Sequence, residues 1–207
     1  VGIESVGAHH VVNEERLRHG VLCHTAHLHA VGLGGVGSYA VEALARSGVG
    51  ELTLVDDDTV SVTNLNRQLE ALHSTVGQNK TDAIAARCRE INPDAVLHPI
   101  CARYDAEHRE AFFSAHYDFI IDATDSFASK YLVNDACVMA GKPFCAGGVV
   151  RYGAQVMTYV PGAACYRCVF PEPPAENDVE TCSTVGVLGS VVGIMGSIQA
   201  TEAIKYL

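Results

Sequence analysis

Basic residues are scarce in this 207-residue chain: Lys and Arg number 14 against 24 Asp and Glu, a formal charge of −10 at pH 7. That deficit argues against general electrostatic binding to nucleic acid, whose phosphates require a positive surface. Charged residues of both signs reach only 18% and hydrophobic ones 48%, which excludes a disordered chain and supplies a core. No basic segment followed by an apolar stretch opens the sequence, so a secretory signal is not expected. Long apolar runs are also missing. The longest, Val185 to Ala200, is broken by glycines, Ser190, Ser197 and Gln199, and predicts a buried helix packed closely on its neighbours rather than a membrane span. There is no internal repeat and no low-complexity stretch, and the length suits one domain.

Cysteine is plentiful, at positions 23, 88, 101, 137, 145, 165, 168 and 182. Five of these sit singly in apolar segments, where a reduced thiol acts as a small hydrophobe. A disulfide framework is unusual in a domain this large without a signal segment, and the expected compartment is a reducing cytoplasm.

Strand and helix patterns alternate along the chain. The first 27 residues are weakly patterned, with a short exposed helix possible over Asn13 to Arg18. Strands are predicted at Leu28–Val31, Glu51–Val55, Ala95–Ala102, Asp118–Ala123 and Pro143–Val150, and an antiparallel addition at Gln155–Val160. Helices are predicted after Gly37 up to Gly48, over Gly77–Ile91, over Ala106–Ala115, from the Ser126 cap to Gly141, and from about Gly186 onward. This order implies an α/β fold, Rossmann-like and doubly wound. Its sheet would be mostly parallel, with helices on both faces and an antiparallel C-terminal addition.

Gly32, Gly34 and Gly37 meet the G-x-G-x-x-G spacing between a strand and a helix, with Gly35 inside the turn. Glycine there permits a tight turn and close backbone approach, and the helix N-terminus offers free N–H groups to a phosphate. Asp56 ends the next strand 19 positions after Gly37, where a carboxylate can take ribose hydroxyls. The turn alone does not choose between a dinucleotide and ATP. That choice falls to Thr63-Asn64-Leu65-Asn66-Arg67-Gln68, to Gly77-Gln78-Asn79-Lys80 and to Ala123-Thr124-Asp125-Ser126. Arg67 and Lys80 serve an enzyme that attacks a nucleotide phosphate, because negative charge spreads onto the phosphoryl oxygens in the transition state. Hydride transfer has no evident need of them. Asp125, following a buried strand, is placed to hold Mg²⁺.

These motifs together resemble the E1-like adenylating enzymes of the ThiF, MoeB and HesA type, over about Val31 to Leu207. The resemblance implies a homodimeric adenylation domain at 28–207, C-terminally shortened relative to the family. Such a domain uses MgATP to adenylate the C-terminal glycine carboxylate of a small ubiquitin-like sulfur carrier ending in Gly-Gly. By the same resemblance Gly35, Asp56, Thr63, Asn64, Arg67, Lys80, Asp125 and Ser126 hold nucleotide or metal, and Arg67 and Lys80 stabilise charge at the attacked phosphate. It also implies Zn²⁺ on Cys165 and Cys168, although the family's second C-x-x-C pair has no counterpart in this sequence. Cys182 stands where some members use a thiol for thioester or persulfide chemistry. The arginine-bearing N-terminal segment that family members usually carry is not found, Arg16 and Arg18 being too near the glycine turn.

Redox use of the C-x-x-C is not favoured, because no helix N-terminus is evident to lower a thiol pKa. The histidines, including His9-His10 and the same-face pair His27 and His29, lack a carboxylate or Cys at ligand spacing and read as surface or filler residues. Three alternatives stay open. The stretch Gly34 to Arg67 also resembles the tRNA threonylcarbamoyladenosine dehydratases, whose tRNA surface the net charge disfavours. A nicotinamide-dependent oxidoreductase would use the same glycine turn, and a non-catalytic homologue would dock a carrier without activating it.

Overall fold

A computed structural model of the chain describes residues 23–105, 116–174 and 185–207. The helices expected at Asn13–Arg18 and Ala106–Ala115, as well as His9, His10 and Cys182, lie outside them. Among the described residues the strands are β1 (His27–Val31), β2 (Glu51–Val55), β3 (Val96–Ile100), β4 (Phe119–Asp122), β5 (Phe144–Val150) and β6 (Gly153–Tyr159). They form one sheet in the order β3-β2-β1-β4-β5-β6. β1 through β5 run parallel, and β6 pairs antiparallel with β5, Phe144 opposite Tyr159. This is the expected doubly wound fold with its antiparallel addition.

Helices α1 (Gly35–Arg46), α2 (Lys80–Ile91), α3 (Phe127–Ala140), the short α4 (Tyr166–Val169) and α5 (Gly189–Tyr206) divide between the two faces. The period of two along each strand decides the division. Leu28, Ala30, Leu52, Leu54, Phe119 and Ile121 point one way and pack against Leu44 of α1, Ile84 of α2 and Ala200 of α5. Val31, Val55, Ile120 and Phe144 point the other way, toward Tyr131 and Cys137 of α3 and Tyr166 of α4. Cys23 and Ala26, ahead of β1, are already buried in the first cluster, so core packing begins before the expected boundary at 28. Glu42 accepts hydrogen bonds from Arg46 and from Arg87, which ties α1 to α2.

Element ends follow local chemistry. Gly141, at φ +62°, stops α3 in the left-handed conformation that lacks a Cβ penalty. α2 begins at Lys80 rather than Gly77, because Gly77 adopts φ +89° and Asn79 is the cap. α5 begins at Gly189 rather than Gly186, whose φ is +76°. The broken apolar run forms a helix as expected, but only one face of it is buried: Val192, Met195, Gly196 and Ala200 are covered, whereas Ile194 and Ile198 are exposed. A Cβ on Gly196 would stand 2.4 Å from the Val36 carbonyl oxygen and 2.7 Å from Tyr39 Cβ, so α5 crosses α1 at backbone distance. Gln199, the polar interruption, is fully buried and donates to the carbonyls of Asp122 (2.9 Å) and Cys145 (2.8 Å). It thereby ties α5 to the last residue of β4 and to the start of β5. No helix among the described residues is long and apolar enough to cross a membrane.

Candidate active site

The strand order reverses between β1 and β4, and a crevice opens beyond their C-terminal ends, where ligands bind in open α/β sheets. The chain leaves β1 through Gly32, at φ +84°, and a Cβ there would stand 2.8 Å from the Ala123 carbonyl oxygen. Gly37 is tighter still, its Cβ direction meeting the Gly32 carbonyl oxygen head on. These two glycines let the turn fold onto itself and onto the end of β4. Gly34, in contrast, is open and caps α1, whose N-terminal residues Gly35 and Val36 line the crevice.

The crevice has a volume of about 680 Å³. Gly32, Gly34, Gly35, Asp56 and Asn64 line it, as do Arg67, Lys80, Asp125 and Ser126. Two predicted residues do not. Gly37 lies beneath the turn as a packing residue. Thr63 is exposed and turned away, its hydroxyl 3.1 Å from Ser61 Oγ, and it contributes only its carbonyl, which accepts from Arg67 at 2.8 Å. The physical reason is the short 3₁₀ turn at Val62–Asn64. It points the threonine outward, and its cap Ser61 donates its backbone N–H to Asn64 Oδ1.

Asp56 accepts from the backbone of Leu33 (2.6 Å) and of Asp58 (2.9 Å), which locks the glycine turn to the end of β2. Burial pushes its carboxyl above the usual range, against the pull of Lys80 and those two N–H groups. Lys80 Nζ lies 2.7 Å from Asp58 Oδ2 and 3.7 Å from Asp56 Oδ1, with its side chain only 6% exposed. Burial alone would depress this ammonium, but Asp56, Asp58 and Glu70 outweigh it and hold the group above its ordinary value. Lys80 is therefore a fixed cation at the base of the crevice. Arg67 is steered by the Thr63 carbonyl and by Asn66 Oδ1 at 2.9 Å. Asp125 is exposed at the mouth, and the helix cap beside it is Ser126, which accepts from Ser129 N at 3.0 Å.

Four further residues belong to this region and were not predicted. Asp58 anchors Lys80, and Gln68 lines the crevice beside Gly34. Lys130, buried in α3, donates to the Gly147 carbonyl at 2.6 Å and lies 3.5 Å from the fully buried Asp122. Glu70 is 2% exposed, and neither carboxylate oxygen has a hydrogen-bond partner. Asp58 follows Asp56 by two residues and Gln68 closes the 63–68 segment, so both were within reach of the sequence. For Lys130 and Glu70 there was no signal, because each meets its neighbours only through tertiary packing.

The cysteine pair calls for a correction. Cys165 is the N-cap of α4, so a helix N-terminus does receive it. Burial would raise this thiol, but the N–H groups of Cys168 and Arg167, the Cys168 thiol and Asn134 bring it below its ordinary value. The two sulfurs are 3.7 Å apart, against about 3.8 Å for two thiolates on a tetrahedral Zn²⁺ with 2.3 Å bonds. The pair fits half of a zinc site, and no second pair joins it among the described residues.

A strand–glycine turn–helix unit, a strand-end carboxylate and the cations Arg67, Lys80 and Lys130 define a nucleotide-binding α/β domain fitted to a phosphate-bearing ligand. The chain belongs to the ThiF family, whose model matches residues 22–207. It is 44% identical over 177 residues to the SAMP-activating enzyme E1 of Haloferax volcanii, covering 86% of this chain and 65% of that protein. It is 42% identical over 186 residues to the adenylyltransferase and sulfurtransferase uba4 of Aspergillus fumigatus, covering 86% of this chain and 38% of that protein. The chain thus spans about two-thirds or less of the length of these relatives. Among solved structures, E. coli MccB bound to ATP superposes with a TM-score of 0.78 at 25% identity, over 94% of this chain and 58% of that one. E. coli tRNA N6-threonylcarbamoyladenosine dehydratase with AMP gives 0.72 at 29% identity, over 93% and 88%.

Proposed function

We propose that this chain catalyses ATP-dependent adenylation of the C-terminal glycine carboxylate of a small ubiquitin-like sulfur carrier. The observation that carries the reading is Lys80, a buried ammonium held by Asp56 and Asp58 at the base of the glycine-turn crevice with Arg67 beside it. A nicotinamide enzyme gains nothing from a fixed cation there. In an adenylation the carrier's carboxylate oxygen bonds to the α-phosphorus, the bond to the β-phosphate oxygen breaks, and pyrophosphate leaves. Negative charge grows on the phosphoryl oxygens, and cations already in place stabilise it without reorganising. The first turn of α1 holds phosphate through its free N–H groups, and Asp56 takes the ribose hydroxyls. Asp125 at the mouth would hold Mg²⁺, which neutralises phosphate charge when bound.

Relatives named as an activating enzyme and as adenylyltransferase–sulfurtransferases support the sulfur-carrier branch over the tRNA-directed one. Cys182 is the thiol proposed to act on the activated carrier, and Cys165 with Cys168 would supply two ligands to a structural Zn²⁺. Leu188, the cap of α5, and Val191, Ile194 and Ile198 on it form an apolar stripe, with Leu188, Ile194 and Ile198 exposed, that suits a homodimer contact. The free thiols suit a reducing cytoplasm.

The test is ATP–pyrophosphate exchange with and without a β-grasp protein ending in Gly-Gly. Exchange should require the carrier and fall by about 100-fold or more in Lys80→Met and in Arg67→Ala, with folding checked by circular dichroism. ATP binding without exchange would favour a docking homologue. NAD binding in place of ATP, or activity indifferent to both substitutions, would overturn the proposal.

A further inference from the structure

The crevice uses the C-terminal ends of the strands. At the opposite end, one corner of the sheet gathers polar side chains that the adenylation chemistry does not use. His27 and Glu51 open β1 and β2 and are direct partners in the register, while His98 of β3 lies opposite Thr53. With side chains alternating at a period of two, His27, Glu51, Thr53 and His98 share one face. A carboxylate therefore does reach the histidines, from a neighbouring strand rather than from their own. His98 Nε2 is 2.7 Å and His27 Nδ1 3.5 Å from Glu51 Oε1, and all three ligand atoms lie within 4.8 Å of one another.

We infer that His27, Glu51 and His98 form a binding site for a divalent first-row transition metal, with Zn²⁺ the best match. Two imidazoles and one carboxylate are a donor set that Zn²⁺ accepts, with water completing the coordination. Bonds of 2.0–2.1 Å place tetrahedral ligand atoms about 3.3 Å apart, so the observed spacings need only small side-chain rotations. The outer contacts are those of a ligating histidine. His27 Nε2 sits 2.8 Å from Thr53 Oγ1, which occupies one ring nitrogen and leaves Nδ1 for the metal. Its backbone N–H donates to Asp118 Oδ2 at 2.9 Å, and its ring meets Tyr117 edge to face at 4.7 Å. His98 and Glu51, at 45% and 39% exposure, keep the site open to solvent. A metal there would clasp three adjacent strands, at the first residues of β1 and β2 and at the middle of β3.

Co²⁺ titration of the untagged chain carrying Cys165→Ser and Cys168→Ser tests the site. The expected result is one Co²⁺ per chain with visible d–d bands and no thiolate charge-transfer band. Affinity should fall by at least 100-fold in His98→Ala and in Glu51→Gln, and Zn²⁺ should raise the Tm of the parent but not of either variant. Both substituted residues are partly exposed, so the fold should survive, and pyrophosphate exchange by the His98→Ala chain should be unchanged, which separates this site from the crevice. Absence of binding at sub-millimolar Co²⁺ would overturn the inference, as would equal binding by the parent and both variants.

Discussion

Replacing Glu70 by Gln isolates the cost of a buried carboxylate beside the crevice. Glu70 is 2% exposed, without a hydrogen-bond partner for either oxygen, and faces Ser38 of α1, Lys80 and Arg87 of α2 and Asp56 at the end of β2. Burial pushes its carboxyl from 4.5 up to about 7, in spite of the attraction of Lys80. The folded state therefore holds a proton that the unfolded chain gives up, so stability falls as pH rises. Below about pH 4.5 the group is neutral in both states and costs nothing. Between that pH and about 7 the penalty accumulates, and above it the penalty is fully present. At about 1.4 kcal/mol per pH unit the whole effect is about 3 kcal/mol. Glu70→Gln keeps the shape and removes the charge, so urea denaturation should find the variant more stable than the parent by about 3 kcal/mol at pH 8 and by less than about 1 kcal/mol at pH 5. Lys80 keeps Asp56 and Asp58, so its ammonium should stay in place. Parallel stability–pH curves for parent and variant over pH 5–8 would refute the reasoning.

Lys130→Met should destabilise the chain by about 3–5 kcal/mol, since it leaves the fully buried Asp122 without its cation and the Gly147 carbonyl without a donor; denaturation midpoints within error of the parent would contradict this. Gly196→Ala drives a methyl into the Val36 carbonyl and should cost about 1–3 kcal/mol. Differential scanning calorimetry should register that as a Tm drop of about 2–4 °C per kcal/mol, and an unchanged Tm would mean that α5 does not cross α1 at that distance. Asp58→Asn loosens Lys80 without removing it, so pyrophosphate exchange should weaken less than in Lys80→Met; an equal loss would make Asp58 more than an anchor.

Much of the nucleotide crevice was legible because its parts are local. The glycine turn, the strand-end Asp56 and the Arg67 and Lys80 segments each announce themselves within a few residues, and their order along an alternating strand–helix pattern implied the sheet. Thr63 falls outside the crevice lining, and Asn64 within it, because a capped 3₁₀ turn, not the motif, sets which side chain is buried. The thiol environment of Cys165 was missed because a four-residue helix is too short to leave a periodic trace.

What the chain's own order of residues determined is the architecture: period-two apolar strands buried on both faces, glycines where the backbone must fold on itself, and a carboxylate at the end of the second strand. Only the tertiary structure decided which charges meet. Lys80 and Asp58 are 22 residues apart, Lys130 and Gly147 17, and Glu51 and His98 47. Those pairings depend on strand register and helix packing; burial then raises the Glu70 carboxyl, and Asp56 and Asp58 hold the Lys80 ammonium up against burial, which no local pattern encodes.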